Sequence, residues 1–212
     1  MTNKKSTGGK RLHAKHKIDR RYGVNTWGKP KSPFNTRKYK PGQHGPTLRG
    51  KKTDYGTQLA AKQLLKGYYG NIGEKKFHSY YEEAMRRRGD TSEEIIAQLE
   101  SRLDALVYRA NFAPTVFSAR QLVSHGHVRV NGRRINIASY QCKPGDVLEL
   151  SAKARALPLV AQALNNKDAP APDYISVEAK AFKATYARVP KFEEVPYPVQ
   201  MQPGLVVEFY SR

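Results

Sequence analysis

The sequence predicts an α+β fold preceded by an extended basic arm. Three observations predict it. Positive charge is crowded into the first third of the chain. Apolar residues recur at helical spacing between residues 53 and 111. An Asn-Gly pair, Asn131-Gly132, sits between two short alternating runs, which is the signature of a tight hairpin.

The arm comes first. Residues 1–66 hold eighteen Lys and Arg against two acids, a net of +16 within a formal +20 for all 212 residues. Residues 1–50 are rich in Gly, Pro, Ser, Thr and Asn and show little apolar periodicity, so they read as a segment that is disordered or poorly packed without a partner. A purely solvating tail is the plainer reading. Tyr22, Trp27, Phe34 and Tyr39 argue against it, because aromatics interleaved with cations suit stacking on nucleic-acid bases. Arg20, Arg21, Lys29, Lys31, Arg37, Lys38 and Lys40 are the arm's candidate phosphate contacts.

Three helices follow. Thr53 or Asp54 caps the first, with Tyr55, Leu59 and Tyr68 near one face, Lys62 and Lys66 on another, and Gly70 as its stop. The second runs from about Glu74 to Arg88, with Phe77, Tyr81 and Ala84 as its buried stripe. Arg86, Arg87 and Arg88 crowd its last turn before Gly89. Cations there complement the helix dipole, but three exceed what that needs, which points to phosphate. In the third, Thr91 and Glu94 form a capping box and Ile95, Ile96, Leu99, Leu103, Leu106, Val107 and Ala110 form one continuous stripe.

Residues 115–150 are the most informative. Thr115 or Ser118 caps a short helix through Ala119, Leu122 and Val123, ended by His125-Gly126. Val128–Val130 and Arg133–Ile137 are the hairpin strands, and Lys143-Pro-Gly-Asp146 turns the chain into Val147–Leu150. On the rim of this unit gather Ser118, Arg120, Gln121, Ser124, His125, Arg129, Asn131, Arg133 and Arg134. Any one Arg there reads as a solvated charge; the cluster suits a structured RNA, with cations on phosphates and Asn, Gln and Ser reaching 2′-hydroxyls. Beyond it, residues 152–165 look helical. Residues 174–177 and 182–189 alternate like strands that extend the same sheet, and a Pro-rich link at 190–203 leads to a final apolar strand or tail.

Ala119-Arg-Gln-Leu-Val-Ser-His-Gly-His-Val128, Val130-Asn-Gly-Arg133 and Lys143-Pro-Gly-Asp-Val147 resemble the RNA-binding module named after the fourth protein of the bacterial small ribosomal subunit. The likeness to that ribosomal family extends from about Lys17 to Arg212. It rests on Pro41-Gly-Gln-His-Gly45, Asp54-Tyr-Gly56, Gln58-Leu59, Tyr68-Tyr-Gly70, Glu100, Arg102-Leu-Asp104, Val107-Tyr-Arg109 and Val206-Val-Glu-Phe-Tyr-Ser211. The lengthened segment before Pro41 and Pro196-Tyr-Pro-Val199 are alphaproteobacterial in style.

The resemblance implies a basic arm over 1–48, a helical domain over 49–94 completed by 196–212, and an α/β domain over 95–195 carrying the module at about 101–165. It implies direct, early binding of small-subunit ribosomal RNA at a helical junction, organising the subunit body. It also implies a place lining the tunnel through which mRNA enters, and a border with the fifth small-subunit protein tied to decoding accuracy. Gln43 and His44 of the Pro-Gly-Gln-His-Gly motif join the candidate RNA contacts, and Arg49, Lys51 and Lys52 correspond to mRNA-facing positions, although their spacing departs from the commonest pattern.

Other functions fit less well. Some members of the family hold zinc with four N-terminal cysteines; this chain has only Cys142, and His13/His16 and His125/His127 are pairs without further ligands, so no metal, cofactor or small-molecule substrate is expected. No apolar run suggests a membrane span, and the arm offers no amphipathic face for a membrane surface or a mitochondrial presequence. A pseudouridine synthase is the main enzymatic alternative, since such enzymes carry the module and Ser101-Arg-Leu-Asp104 echoes their catalytic motif. In those enzymes the motif follows the module within a large catalytic domain. Here it precedes the module, and an ion pair to a nearby Arg is the simpler role for Asp104. A stand-alone heat-shock RNA-binding protein would lack the arm and the tail-completed helices.

Overall fold

The computed structural model describes residues 16–47, 53–166 and 170–212. They divide into two units, one formed by the N-terminal segment to residue 52 with residues 198–200, the other by residues 53–197 and 201–212.

The first unit is more ordered than its composition suggests. Helix α1 (Lys17–Tyr22) ends at left-handed Gly23, and α2 (Pro33–Thr36) starts on the Ser32 cap with Pro33 in its first turn. Between them the chain folds around a buried carboxylate. Asp19 accepts hydrogen bonds from Ser32 Oγ (2.6 Å) and the Thr26 N–H (3.2 Å) and pairs with His16 Nδ1 (2.8 Å). A polar centre of this kind leaves no apolar periodicity, which is why the segment reads as merely extended. The Pro-Gly-Gln-His-Gly turn has a steric logic too. Gly42 has φ +101°, and a Cβ on Gly45 would lie 1.8 Å from the Lys40 carbonyl oxygen.

In the second unit, α3 (Asp54–Tyr68) is capped by Thr53, whose hydroxyl accepts from the Gly56 N–H. Helix α4 (Glu74–Arg86) buries Phe77, Tyr80, Tyr81 and Ala84. The predicted third helix is two helices, α5 (Thr91–Glu100) and α6 (Leu103–Arg109). Every residue of its apolar stripe is buried, yet the backbone breaks at Arg102, which turns extended and bridges Gln141. Cys142 N–H donates to Ser101 O and Leu103 N–H to Tyr140 O, so hydrogen bonds to a distant segment replace the helical ones. The cap is Asp90, not Thr91: its carboxylate accepts from the Ser92 N–H at 2.7 Å.

Helix α7 (Val116–Ser124) has the reciprocal Thr115–Ser118 capping box, then β1 (Val128–Val130) and β2 (Arg133–Ile135) make the hairpin. The second strand stops two residues short of the expected Ile137. With β3 (Val147–Leu150), β4 (Ile175–Glu178) and β5 (Lys183–Tyr186) they form one antiparallel sheet in the order β2-β1-β3-β5-β4. The expected helix at 152–165 is split at Leu157-Pro158 into α8 (Ala152–Arg155) and α9 (Pro158–Leu164), because proline cannot continue the first helix but fits the start of the next. Leu106, Val107, Leu122, Val123, Val128 and Leu148 are central to the core between α6, α7 and the sheet.

The C-terminal segment is neither strand nor loose tail. It is α10 (Pro203–Tyr210), packed on α3 and α5. Gln58 Nε2 donates to Glu208 Oε2 (2.9 Å), and the Tyr210 hydroxyl to Glu74 Oε1 (2.7 Å).

A buried polar network joins these layers. Glu100, wholly inaccessible, accepts two hydrogen bonds from Arg109 (2.7 and 3.0 Å), one from the Tyr69 hydroxyl (2.6 Å) and one from Tyr174 (2.8 Å). Arg109 also donates to Pro196 O. One ion pair therefore ties α3, α5, α6, the start of β4 and the Pro-rich link.

Candidate nucleic-acid interface

The rim of α7 and the hairpin is built by local sequence. The left-handed conformations of Asn131 (φ +49°) and Gly132 (φ +78°) turn β1 into β2. Asn131 also locks that turn to the next one. Its Nδ2 donates to Asp146 Oδ1 (2.8 Å), its Oδ1 accepts from the Val147 N–H (2.9 Å), and Asp146 Oδ2 accepts from the Lys143 N–H (2.8 Å). Along β1 the pattern is buried, exposed, buried, so Val128 and Val130 enter the core and Arg129 stands on the outer face.

Gln121, Ser124, His125, Arg129, Asn131, Arg133 and Arg134 are exposed along this rim. Ser118 is half-buried and its hydroxyl is engaged in the capping box, while Asn131 serves the turn lock. Behind Arg129 and Arg134 lies a groove of about 410 Å³ whose other walls include His127, Ser151 and Lys153, without an acidic residue. Neither His127 nor Lys153 is among the predicted RNA contacts. A larger groove of about 600 Å³, between α4, α5 and the 141–144 turn, mixes Glu82, Glu83 and Glu94 with Lys76, Arg86 and Arg87 and is not selective for anions.

Several predicted contacts have partners within the fold. Lys62 and Lys66 are buried and both bind Glu74, at 2.6 and 2.9 Å. Lys62 also lies 4.1 Å over the Phe209 ring. Burial alone would raise the Glu74 pKa, but hydrogen bonds from Lys62, Tyr210 and Lys66 outweigh it and hold this carboxyl down at about 2. Arg120 does not face outward. It donates to Asp104 Oδ2 (3.1 Å) and to the carbonyls of Gly70 (2.7 Å) and Tyr69 (2.8 Å), capping the end of α3. Arg87 pairs with Glu83 and Glu94, but at the surface, and both Arg86 and Arg87 are exposed.

Asp104 has the structural role expected of it. It is buried between Arg102, which grips it at 2.6 and 2.9 Å, and Arg120. A carboxylate held in this way has no path to a substrate. Among the described residues no group of three or more His, Cys, Asp or Glu is gathered for a metal, and no helix is long and apolar enough to cross a membrane.

In the first unit Arg21, Arg37, Lys38, Lys40, Gln43 and His44 are exposed. Arg20 lies 4.6 Å over the Tyr39 ring and donates to Tyr39 O and Lys40 O, so it braces the segment that carries the other cations. Arg49, Lys51 and Lys52 lie outside the described residues.

Residues 10–100 match the family described as ribosomal protein S4/S9 N-terminal domain, and residues 101–148 match the S4 domain. The small ribosomal subunit protein uS4 of Rhodospirillum rubrum is 60% identical over 204 residues, spanning 96% of this chain and 100% of its own. Its counterpart in Bartonella bacilliformis is 59% identical over 203 residues, covering 96% and 99%. That of Caulobacter vibrioides is 59% identical over 202, covering 95% and 98%. With likeness along nearly the whole chain, and with Asp104 locked in an ion pair where an enzyme would need it free, this protein belongs to the uS4 family of small ribosomal subunit proteins.

Proposed function

We propose that this chain binds small-subunit ribosomal RNA directly and early, at a junction of helices, and so organises the body of the subunit. The observation that carries the reading is the rim of α7 and the hairpin, where Gln121, Ser124 and Arg133 are exposed and where His125, Arg129 and Arg134 line a groove without an acid. Such a surface releases counterions from a phosphate backbone and offers donors to 2′-hydroxyls. The cations at 21, 37, 38 and 40 add a second, sequence-independent grip. Division of the chain into an arm (1–48), a helical domain (49–94 with 196–212) and an α/β domain (95–195) matches this two-part grip. Membership of the family supports a place lining the mRNA tunnel through Arg49, Lys51 and Lys52, a border with the fifth small-subunit protein, and an influence on decoding accuracy.

The test is equilibrium binding of the full-length protein to small-subunit ribosomal RNA and to an unrelated structured RNA of equal length, across a salt series. Tighter binding to the ribosomal RNA that persists at physiological salt is the expected result. Equal affinities for the two RNAs would refute the proposal.

A further inference from the structure

Building on the reading that the module binds RNA, we infer that Arg129, Arg134 and Lys153 converge on the groove behind the hairpin to hold a single RNA phosphate. The sheet register supplies the first argument. Arg129 is directly opposite Arg134 on β2 and Glu149 on β3; Glu149 is opposite Lys183, and Lys183 opposite Glu178. Directly opposed residues share a face, so one row reads Arg134, Arg129, Glu149, Lys183, Glu178 across the outer surface. Signs alternate everywhere except at the hairpin. Glu149 pairs with Lys183 instead, its Oε1 lying 2.9 Å from Nζ, and forms no ion pair with Arg129 among the described residues. Two guanidiniums thus stand opposed without an acidic partner among the described residues. Like charges in that position destabilise a sheet, and an anion placed between them reverses the sign.

The second argument is that Arg134 is held in place. Its guanidinium donates to His125 O (3.3 Å) and lies across Gly126, where a Cβ would come within 2.1 Å of Nε. Gly126 ends α7 with φ +70°, so the glycine serves both the turn and the seat of the arginine. Lys153, from the chain just after β3, brings a third cation to the same groove of about 410 Å³, and Ser151 and His127 add polar groups to its wall. Two planar forks and one ammonium suit the oxygens of a phosphodiester, which accept from several directions at once.

Lys153 gives the sharpest test, because it is exposed and lies outside the helix and hairpin already described as the rim. Full-length wild type, Lys153→Ala, Lys153→Arg, Arg129→Ala and the Lys153→Ala/Arg129→Ala pair are titrated with small-subunit ribosomal RNA at several salt concentrations. Loss of one phosphate contact reduces the slope of log affinity against log salt by about 1. Lys153→Ala shows this loss with an unchanged melting temperature, Lys153→Arg restores the slope, and the pair loses less than the two single losses combined because both cations serve one phosphate. If Lys153→Ala keeps the wild-type slope while wild type still prefers ribosomal RNA, the phosphate seat is wrong and the RNA reading stands. Additive losses would place the two cations on different phosphates and also overturn the seat. If wild type shows no preference for ribosomal RNA, the underlying reading fails as well.

Discussion

Replacing Glu100 with Gln probes the polar centre that joins the helices to the sheet. The carboxylate is fully buried and accepts four hydrogen bonds, two of them from Arg109, which is itself 6% exposed. Gln keeps the shape but removes the charge and turns one acceptor into a donor, which then faces a hydroxyl and a guanidinium N–H. Removing one partner of a buried pair leaves the other charge uncompensated, at a cost of about 3–5 kcal/mol. That is a large part of the roughly 5–15 kcal/mol that stabilises a domain, and at about 2–4 °C per kcal/mol for this size it lowers Tm by roughly 6–20 °C. The assay is urea and thermal unfolding followed by circular dichroism at neutral pH, with Tyr174→Phe as the reference that loses one hydrogen bond, about 1 kcal/mol. The pH profile adds a second check. Burial pushes the Glu100 pKa up, but Arg109 and the hydrogen bonds from Arg109, Tyr69 and Tyr174 prevail and lower it below the ordinary 4.5. The stability it confers is therefore present above about pH 4.5 and is lost as pH falls through the depressed folded value, so Glu100→Gln flattens the acid limb. A Glu100→Gln loss under about 1 kcal/mol, no larger than that of Tyr174→Phe, would refute the claim that the ionised pair is what makes this centre costly to disturb.

Two further predictions concern residues whose roles the fold reassigns. Arg120→Ala leaves the carbonyls of Tyr69 and Gly70 without their donor and destabilises the protein by about 1–3 kcal/mol in urea unfolding, while the salt slope of RNA binding stays that of wild type; a slope reduced by about 1 would return Arg120 to the phosphate contacts. Gly45→Ala forces a Cβ into the Lys40 carbonyl and opens the 40–45 turn, so trypsin cuts after Arg37 and Lys38 faster than in wild type; an unchanged cleavage rate would show that the turn relaxes without cost.

The family resemblance and the α+β class were legible because they rest on short-range patterns. The Thr115 cap, the Asn131-Gly132 turn and the buried stripe from Ile95 to Ala110 each involve neighbours in sequence, and each appears in the structure. The misreadings share one cause. Arg102 leaves the helix because residues 140–142 offer its neighbours hydrogen bonds, and the 16–47 segment folds around Asp19 without an apolar pattern to announce it.

By itself, then, the sequence determined the fold class, the family, the hairpin module and the excess of positive charge. Only the tertiary structure decided which of those charges remain available. Lys62 and Lys66 meet Glu74 across a helix turn and under α10, Arg120 reaches carbonyls fifty residues away, and Lys153 arrives beside Arg129 and Arg134 through the sheet. Whether a cation faces solvent or an internal acceptor depends on long-range packing, and a charge pattern read along the chain carries no record of that distance.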